Sequence, residues 1–192
     1  MKRMMAKTLL FIILCFVIVT ACTLCLSKPA EPSKSNVDIY SEEDEESIKK
    51  LLSTYPRNLN PENVAADGCF VLLHGVVVGD SQKTWDTFYS NVKNKNDAAI
   101  LIVYYTVEGD PILNYVSFVN GSFYSVRDSS RDSWGGPPLY SVGSYKFLHV
   151  FKTWGVTRVI LSDIDYKKWK DYENDTTKNH EKSLRLFSTS GI

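Results

Sequence analysis

The sequence predicts an α+β domain: an antiparallel sheet of about five or six strands, backed by helices gathered on its N-terminal side. Three observations carry this. Apolar residues recur at helical spacing in segments before residue 95. Between residues 100 and 161 they fall instead into short β-branched and aromatic runs separated by turn signals. The chain of 192 residues is 44% hydrophobic and 23% charged, the composition of a single ordinary core with extensions.

The chain opens with Lys2, Arg3 and Lys7, followed by an uncharged run from Thr8 to Ser27 whose dense apolar part is Leu9 to Val19. This is the layout of an export signal. Val19-Thr20-Ala21-Cys22 fits a bacterial lipobox. Residues 1–21 are therefore expected to be a lipoprotein signal peptide, with Cys22 the site of lipid attachment. A thiolate is the side chain that readily forms the required thioether. Two acyl chains anchor stably where one, at about 0.8 kcal/mol per buried CH2, is marginal. An uncleaved signal anchor and plain secretion are the alternatives. All three place the domain outside the cytoplasm, and the first puts it on the extracytoplasmic face of the cell membrane. Cleavage removes three of the 22 basic residues and none of the 22 acidic ones. No basic footprint for nucleic acid or for anionic lipid results.

Residues 22–40, with Pro29, Pro32 and several Ser and Lys, read as a tether. Ser41-Glu42-Glu43-Asp44 starts a helix in the manner of a capping box, and Ile48, Leu51, Leu52 and Tyr55 form its apolar stripe before Pro56. Asn60-Pro61-Glu62 is an N-cap with proline at N1, opening a short helix that ends near Gly68. Phe70 to Leu73 is a buried strand that Val76 to Val78 continue past Gly75. A helix capped by Asp80 or Ser81 carries Trp85, Phe88, Tyr89 and Val92 on one face. Strands are expected over Ile100–Val107, Ile112–Val119 and Ser122–Arg127, with Asn120-Gly121 the favoured two-residue hairpin turn. Asp128 to Pro138 is a polar loop. Tyr145, Phe147, His149 and Phe151 alternate as a half-exposed strand, with His149 facing solvent, and Trp154-Gly155 turns into a last strand over Val156–Leu161. The α+β domain thus spans residues 41–162, and residues 163–192 read as a frayed helix or flexible tail.

Several of these pieces, taken together, resemble a known family. They are Asn60-Pro61-Glu62, Gly68 through His74-Gly75, Phe88 with Asn91-Val92, Tyr105-Thr106-Val107-Glu108-Gly109-Asp110-Pro111-Ile112, Asn120-Gly121, and Asp128-Ser129-Ser130-Arg131-Asp132 with Gly135. In this order they are similar to small exported proteins of Gram-positive bacteria, many with lipoprotein signals, grouped as a domain of unknown function. The resemblance covers roughly residues 59–162. It implies export and domain limits, and no activity. Two departures stand out: Cys69 replaces an acidic residue usual in the family, and residues 140–162 lack the cysteines usual in its last strands.

The sequence has no P-loop, HExxH, GxSxG, EF-hand loop or dinucleotide fingerprint, so it implies no cofactor and no metal site. Two SxxK matches, at Ser47 and Ser90, fall in helices without partner motifs. Cys22-Thr-Leu-Cys25 matches CxxC, but the lipobox already accounts for Cys22. Asp128, Arg131, Asp132 and Trp134 in the polar loop are the candidate binding residues, since mixed charge and an exposed aromatic on a loop are what recognition uses. The expected role is a non-enzymatic module that binds an envelope protein or small ligand, held at the membrane through Cys22. The alternative is a small metal-dependent or acid/base hydrolase. It would use His74 at a strand end with the carboxylates Glu108 and Asp110, or Asp128.

Overall fold

The computed structural model describes residues 37–176 and 183–190. The signal peptide, Cys22, Cys25 and most of the tether lie outside them. Among the described residues no helix is long and apolar enough to cross a membrane.

Three helices precede or interrupt the first strands: α1 (Glu45–Ser53), α2 (Pro61–Ala66) and α3 (Gln82–Lys93). The strands are β1 (Phe70–Leu73), β2 (Val76–Val77), β3 (Ala98–Tyr105), β4 (Pro111–Val119), β5 (Ser122–Asp128) and β6 (Tyr140–Tyr145). They form a six-stranded sheet in the order β2-β1-β3-β4-β5-β6. Then β7 (Phe147–Thr153), β8 (Val156–Ser162) and β9 (Ser183–Ser190) form a second sheet of three strands. A last helix, α4 (Trp169–Asn174), sits between β8 and β9.

The large sheet is mixed, which corrects the expectation of a purely antiparallel one. β1 runs parallel to β3, with Phe70 opposite Ile102 and Leu73 opposite Tyr105. A strand, a helix of three turns and a strand make a crossover unit, and such a unit returns its second strand parallel to the first. Val76 and Val77 do not continue β1 but double back on it, with Leu73 paired to Val76. His74 and Gly75, at φ 51° and 77°, supply the two positive values that a two-residue hairpin turn needs. Asn120-Gly121 and Trp154-Gly155 repeat that geometry, as the sequence indicated.

Both faces of the large sheet are buried. Along β3, Ala98, Ile100 and Ile102 join one core, and Ala99, Leu101, Val103 and Tyr105 the other. The second core is covered by α1 and α2 through Ile48, Leu52 and Val64. Tyrosines of the sheet also tie down the chain that leads into these helices. Tyr115 Oη donates to Asp38 O at 2.9 Å and accepts from Tyr40 N at 2.7 Å, and Tyr105 Oη donates to Leu59 O at 3.1 Å. Burial pushes both of these phenols up to about 12. The end of the expected tether is thus fixed to the sheet.

The first core is covered by α3 and by the small sheet. Phe187 of β9 packs on Phe70 at 4.9 Å and edge-on to Trp85 at 5.0 Å. Residues 163–192 were expected as a frayed helix or tail. Instead they supply α4 and β9, because Leu186 and Phe187 bury with the core while Ser183 to Ser190 complete the ladder of β8. His149 is likewise buried rather than solvent-facing. Its strand does alternate, but Tyr166 and α4 cover the face that carries Phe151 and His149, with His149 stacked on Phe151 at 5.5 Å. His149 Nε2 lies 2.9 Å from Ser162 Oγ and 3.0 Å from Ile164 O.

Burial holds the His149 imidazole below its ordinary pKa of 6.5. The folded state therefore binds fewer protons than the unfolded state once the pH drops past that value, and stability present above it declines as the pH falls toward the folded pKa. The melting temperature should fall between about pH 7 and pH 5, and His149→Gln should flatten that part of the profile. A melting curve with the same pH slope in the variant would assign it to other groups.

Candidate functional site

The residues singled out from sequence leave the large sheet at one end. Leu73 opposite Tyr105 sets the His74-Gly75 turn beside the turn formed by residues 106–110. Leu113 opposite Asp128 brings the β5–β6 loop, residues 129–139, to the same end. Asp110 then joins the last two: its Oδ2 accepts from Ser133 N at 2.7 Å, and this bond holds the Asp110 carboxyl below its usual range. Arg57 Nη2 donates to Ser133 Oγ at 3.0 Å, adding the segment after α1.

The loop folds on its own acidic side chains. Asp128 Oδ1 accepts from Ser130 N at 2.8 Å, Asp132 Oδ1 accepts from Trp134 N at 3.0 Å, and Ser129 N donates to Leu139 O at 2.8 Å to close the base. Aspartates favour such turns because their short carboxylates reach backbone amides two residues on. A Cβ at Gly135 would come within 3.0 Å of the Asp132 carboxylate, so this tight return depends on the missing side chain.

Asp128 and Arg131 are not on the surface. Asp128 is fully buried and Arg131 is 5% exposed, and the guanidinium meets the carboxylate at 2.5 Å. Arg131 also donates to Leu52 O and Tyr55 O at 2.7 Å and to Pro56 O at 3.2 Å. These carbonyls end α1 and the turn after it, where helices leave acceptors unpaired and favour positive charge. Asp128 and Arg131 therefore position the loop and clamp it to α1. Asp132 sits half-buried within the loop. Trp134, at 82% exposure, projects from it, and Val107, 83% exposed, belongs to the turn that Asp110 joins to it. The rigid platform and the exposed apolar side chains are thus supplied by different residues.

The candidates for acid/base chemistry are arranged otherwise. His74 is exposed on its hairpin turn, whose Gly75 O accepts from Thr189 Oγ1 of β9 at 2.6 Å. Glu108 is exposed, and Asp110 is engaged by Ser133. Among the described residues no three His, Cys, Asp or Glu side chains are gathered as a metal set. Cys69 is a free thiol, buried beneath α2, and burial pushes it up to about 11, which keeps it protonated and unreactive. Sequence reasoning had no signal for the role of Arg131: a single arginine in a polar loop looks the same whether it faces solvent or a helix end.

Residues 71–149 match the model of a domain of unknown function, DUF4362. The match runs from β1 into β7 and so contains every candidate from His74 to Trp134, within narrower limits than residues 59–162. Over 153 residues the chain is 23% identical to the CRISPR-associated protein MJ1674 of Methanocaldococcus jannaschii. That alignment takes in 70% of this chain and 24% of the relative, so the chain spans about a quarter of the relative's length. No solved structure matches.

Arg131→Met should destabilise the protein by about 3–5 kcal/mol, since it leaves the Asp128 carboxylate buried without its partner. The double variant Asp128→Asn, Arg131→Met should recover part of that loss. Equilibrium unfolding in denaturant measures both. A loss below about 1 kcal/mol in the single variant would mean that the pair does not hold the loop.

Proposed function

We propose that the protein is a non-enzymatic recognition module of the cell envelope, anchored on the extracytoplasmic face of the membrane through lipidated Cys22. It binds a partner protein through the joined 106–110 turn and 129–139 loop. The observation that carries this reading is Trp134: an indole held out in solvent by a loop whose own backbone and base are fixed. Ordering a loop and its side chains on binding costs free energy, and a loop that is already ordered does not incur it. Large aromatics on such rigid supports are what dominate protein interfaces. Val107 and the half-exposed Leu139 add apolar area in the same elements. The tether expected over residues 22–40 gives the domain its reach from the bilayer.

Two experiments test the two halves of this reading. Trp134→Ala in the full chain should leave the unfolding midpoint nearly unchanged, within about 0.5 kcal/mol, because the ring is exposed. It should remove cross-linking to the partner when a photoreactive group is placed at Ser133 in intact cells. Undiminished cross-linking in the variant would overturn the assignment of the surface. Separately, the chain should incorporate labelled fatty acid, and Cys22→Ala should lose both the label and the signal-peptide cleavage. A chain that stays membrane-bound and unlabelled would be an uncleaved anchor instead.

A further inference from the structure

The strand β6 is an edge of the large sheet, paired to β5 on one side only. Ser129 N donates to Leu139 O, so the backbone of Leu139 points toward β5, and by alternation so do those of Ser141, Gly143 and Tyr145. The N–H and C=O groups of Tyr140, Val142 and Ser144 therefore point outward, with no backbone partner among the described residues. This row is bounded at both ends. Pro138 has no N–H to give, and Lys146 N already donates to Ser162 O at 3.2 Å.

An open edge is a template for pairing with another chain, and proteins ordinarily blunt it with charge, proline or a very short strand. The other sheet edges follow that rule: β2 has two residues, β7 carries Lys152 and β9 carries Arg185. Residues 140–145, Tyr-Ser-Val-Gly-Ser-Tyr, hold neither charge nor proline. Val142, at their middle, is 49% exposed.

The same row fits a second copy of itself. Residues opposite each other in an antiparallel pair share a face, so a two-fold axis normal to the sheet must set one residue against its own counterpart. With the axis at Val142, Val142 pairs with itself and Tyr140 with Ser144, and every outward residue completes its bonds. Pro138 then falls opposite Lys146, so the residue without an N–H meets the one whose N–H is already used. Moving the axis one residue either way pairs Tyr140 with Lys146 or Ser144 with Pro138, and bonds are lost.

Charge agrees with this register. Glu42 accepts from Ser144 Oγ at 2.7 Å at one end of the strand. Lys49, held on α1 by Glu45 and Glu46, lies near Tyr140 at the other. Setting Tyr140 against Ser144 brings Lys49 of each copy to the side of Glu42 of the other. We propose that the edge of β6 is a self-association surface, through which two copies of this chain join their large sheets antiparallel about an axis at Val142. The proposal rests on the ladder and is independent of the Trp134 surface.

The first test is oxidative cross-linking of the full chain in membranes of the producing cells. Val142→Cys should give a disulfide-linked dimer, because opposed residues lie about 5.5 Å apart at Cα, inside the bridging range. Ser141→Cys, one residue off the axis, should give at least about tenfold less above the parent level. The second is sedimentation of the full chain in detergent, where the parent should be a dimer. Val142→Lys and Val142→Glu, at an exposed position, should keep the parent's circular dichroism. Each alone should associate at least about tenfold more weakly, since like charges then stand directly opposite, and mixing the two should restore the dimer. A monomeric parent would overturn the proposal and leave the edge to a strand of another protein. So would a Val142→Lys chain that dimerises like the parent, or Val142→Cys cross-linking no better than Ser141→Cys.

Discussion

Everything in this structure follows from a sheet whose central strands are apolar on both faces. β3 and most of β4 have no solvent-facing side, so each face must be covered by something else in the chain. The N-terminal helices cover one face, and α3 with the three-stranded sheet covers the other. At about 25 cal/mol per Å² of apolar surface removed from water, neither cover is dispensable. This is why the segment after residue 163 folds back as a strand, and why the Tyr115 hydroxyl holds the chain before α1 and the Tyr105 hydroxyl the segment between α1 and α2.

The polar interactions are placed where that packing leaves backbone unpaired. α1 ends over the sheet with its last carbonyls pointing inward, and Arg131 reaches them from the β5–β6 loop. A guanidinium buried there needs a counter-charge, and Asp128 provides it from the adjoining strand end. One consequence is mechanical: a loop that would otherwise be a mobile connection is attached at its base to a helix and, through Asp110 and Ser133, to the neighbouring turn. The exposed Trp134 rides on this frame. The other consequence is a division of labour among four residues that look alike in sequence, two building the loop and two facing outward or shaping its tip.

The two ends of the sheet differ in character. The carboxyl ends of the parallel pair carry turns, an exposed indole and a buried ion pair. The other end carries a polar groove, one wall of which is Ser41 to Glu43. The family match, from residue 71 to 149, includes most of both. It omits the Ser41–Glu43 wall, α1 and α2 and most of the small sheet, so Asp128 and Arg131 lie within it while the α1 carbonyls that Arg131 holds lie beyond it.

The sequence by itself determined the local elements: the helices at 45–53, 61–66 and 82–93, the strands from β3 to β5, and the hairpin turns at Asn120-Gly121 and Trp154-Gly155. These rest on periodicity, capping and turn chemistry within a few residues. It also marked the polar loop, since aspartate, glycine and proline declare a turn locally. Only the tertiary structure decided the parallel pairing of β1 with β3, the recruitment of β9 and the burial of His149. The same holds for the inward turn of Asp128 and Arg131 and for the open edge of β6. Each of these depends on contacts between residues far apart in the chain. A short uncharged strand, an arginine in a loop or a leucine-phenylalanine pair in a charged tail carries no local mark of what will be packed against it.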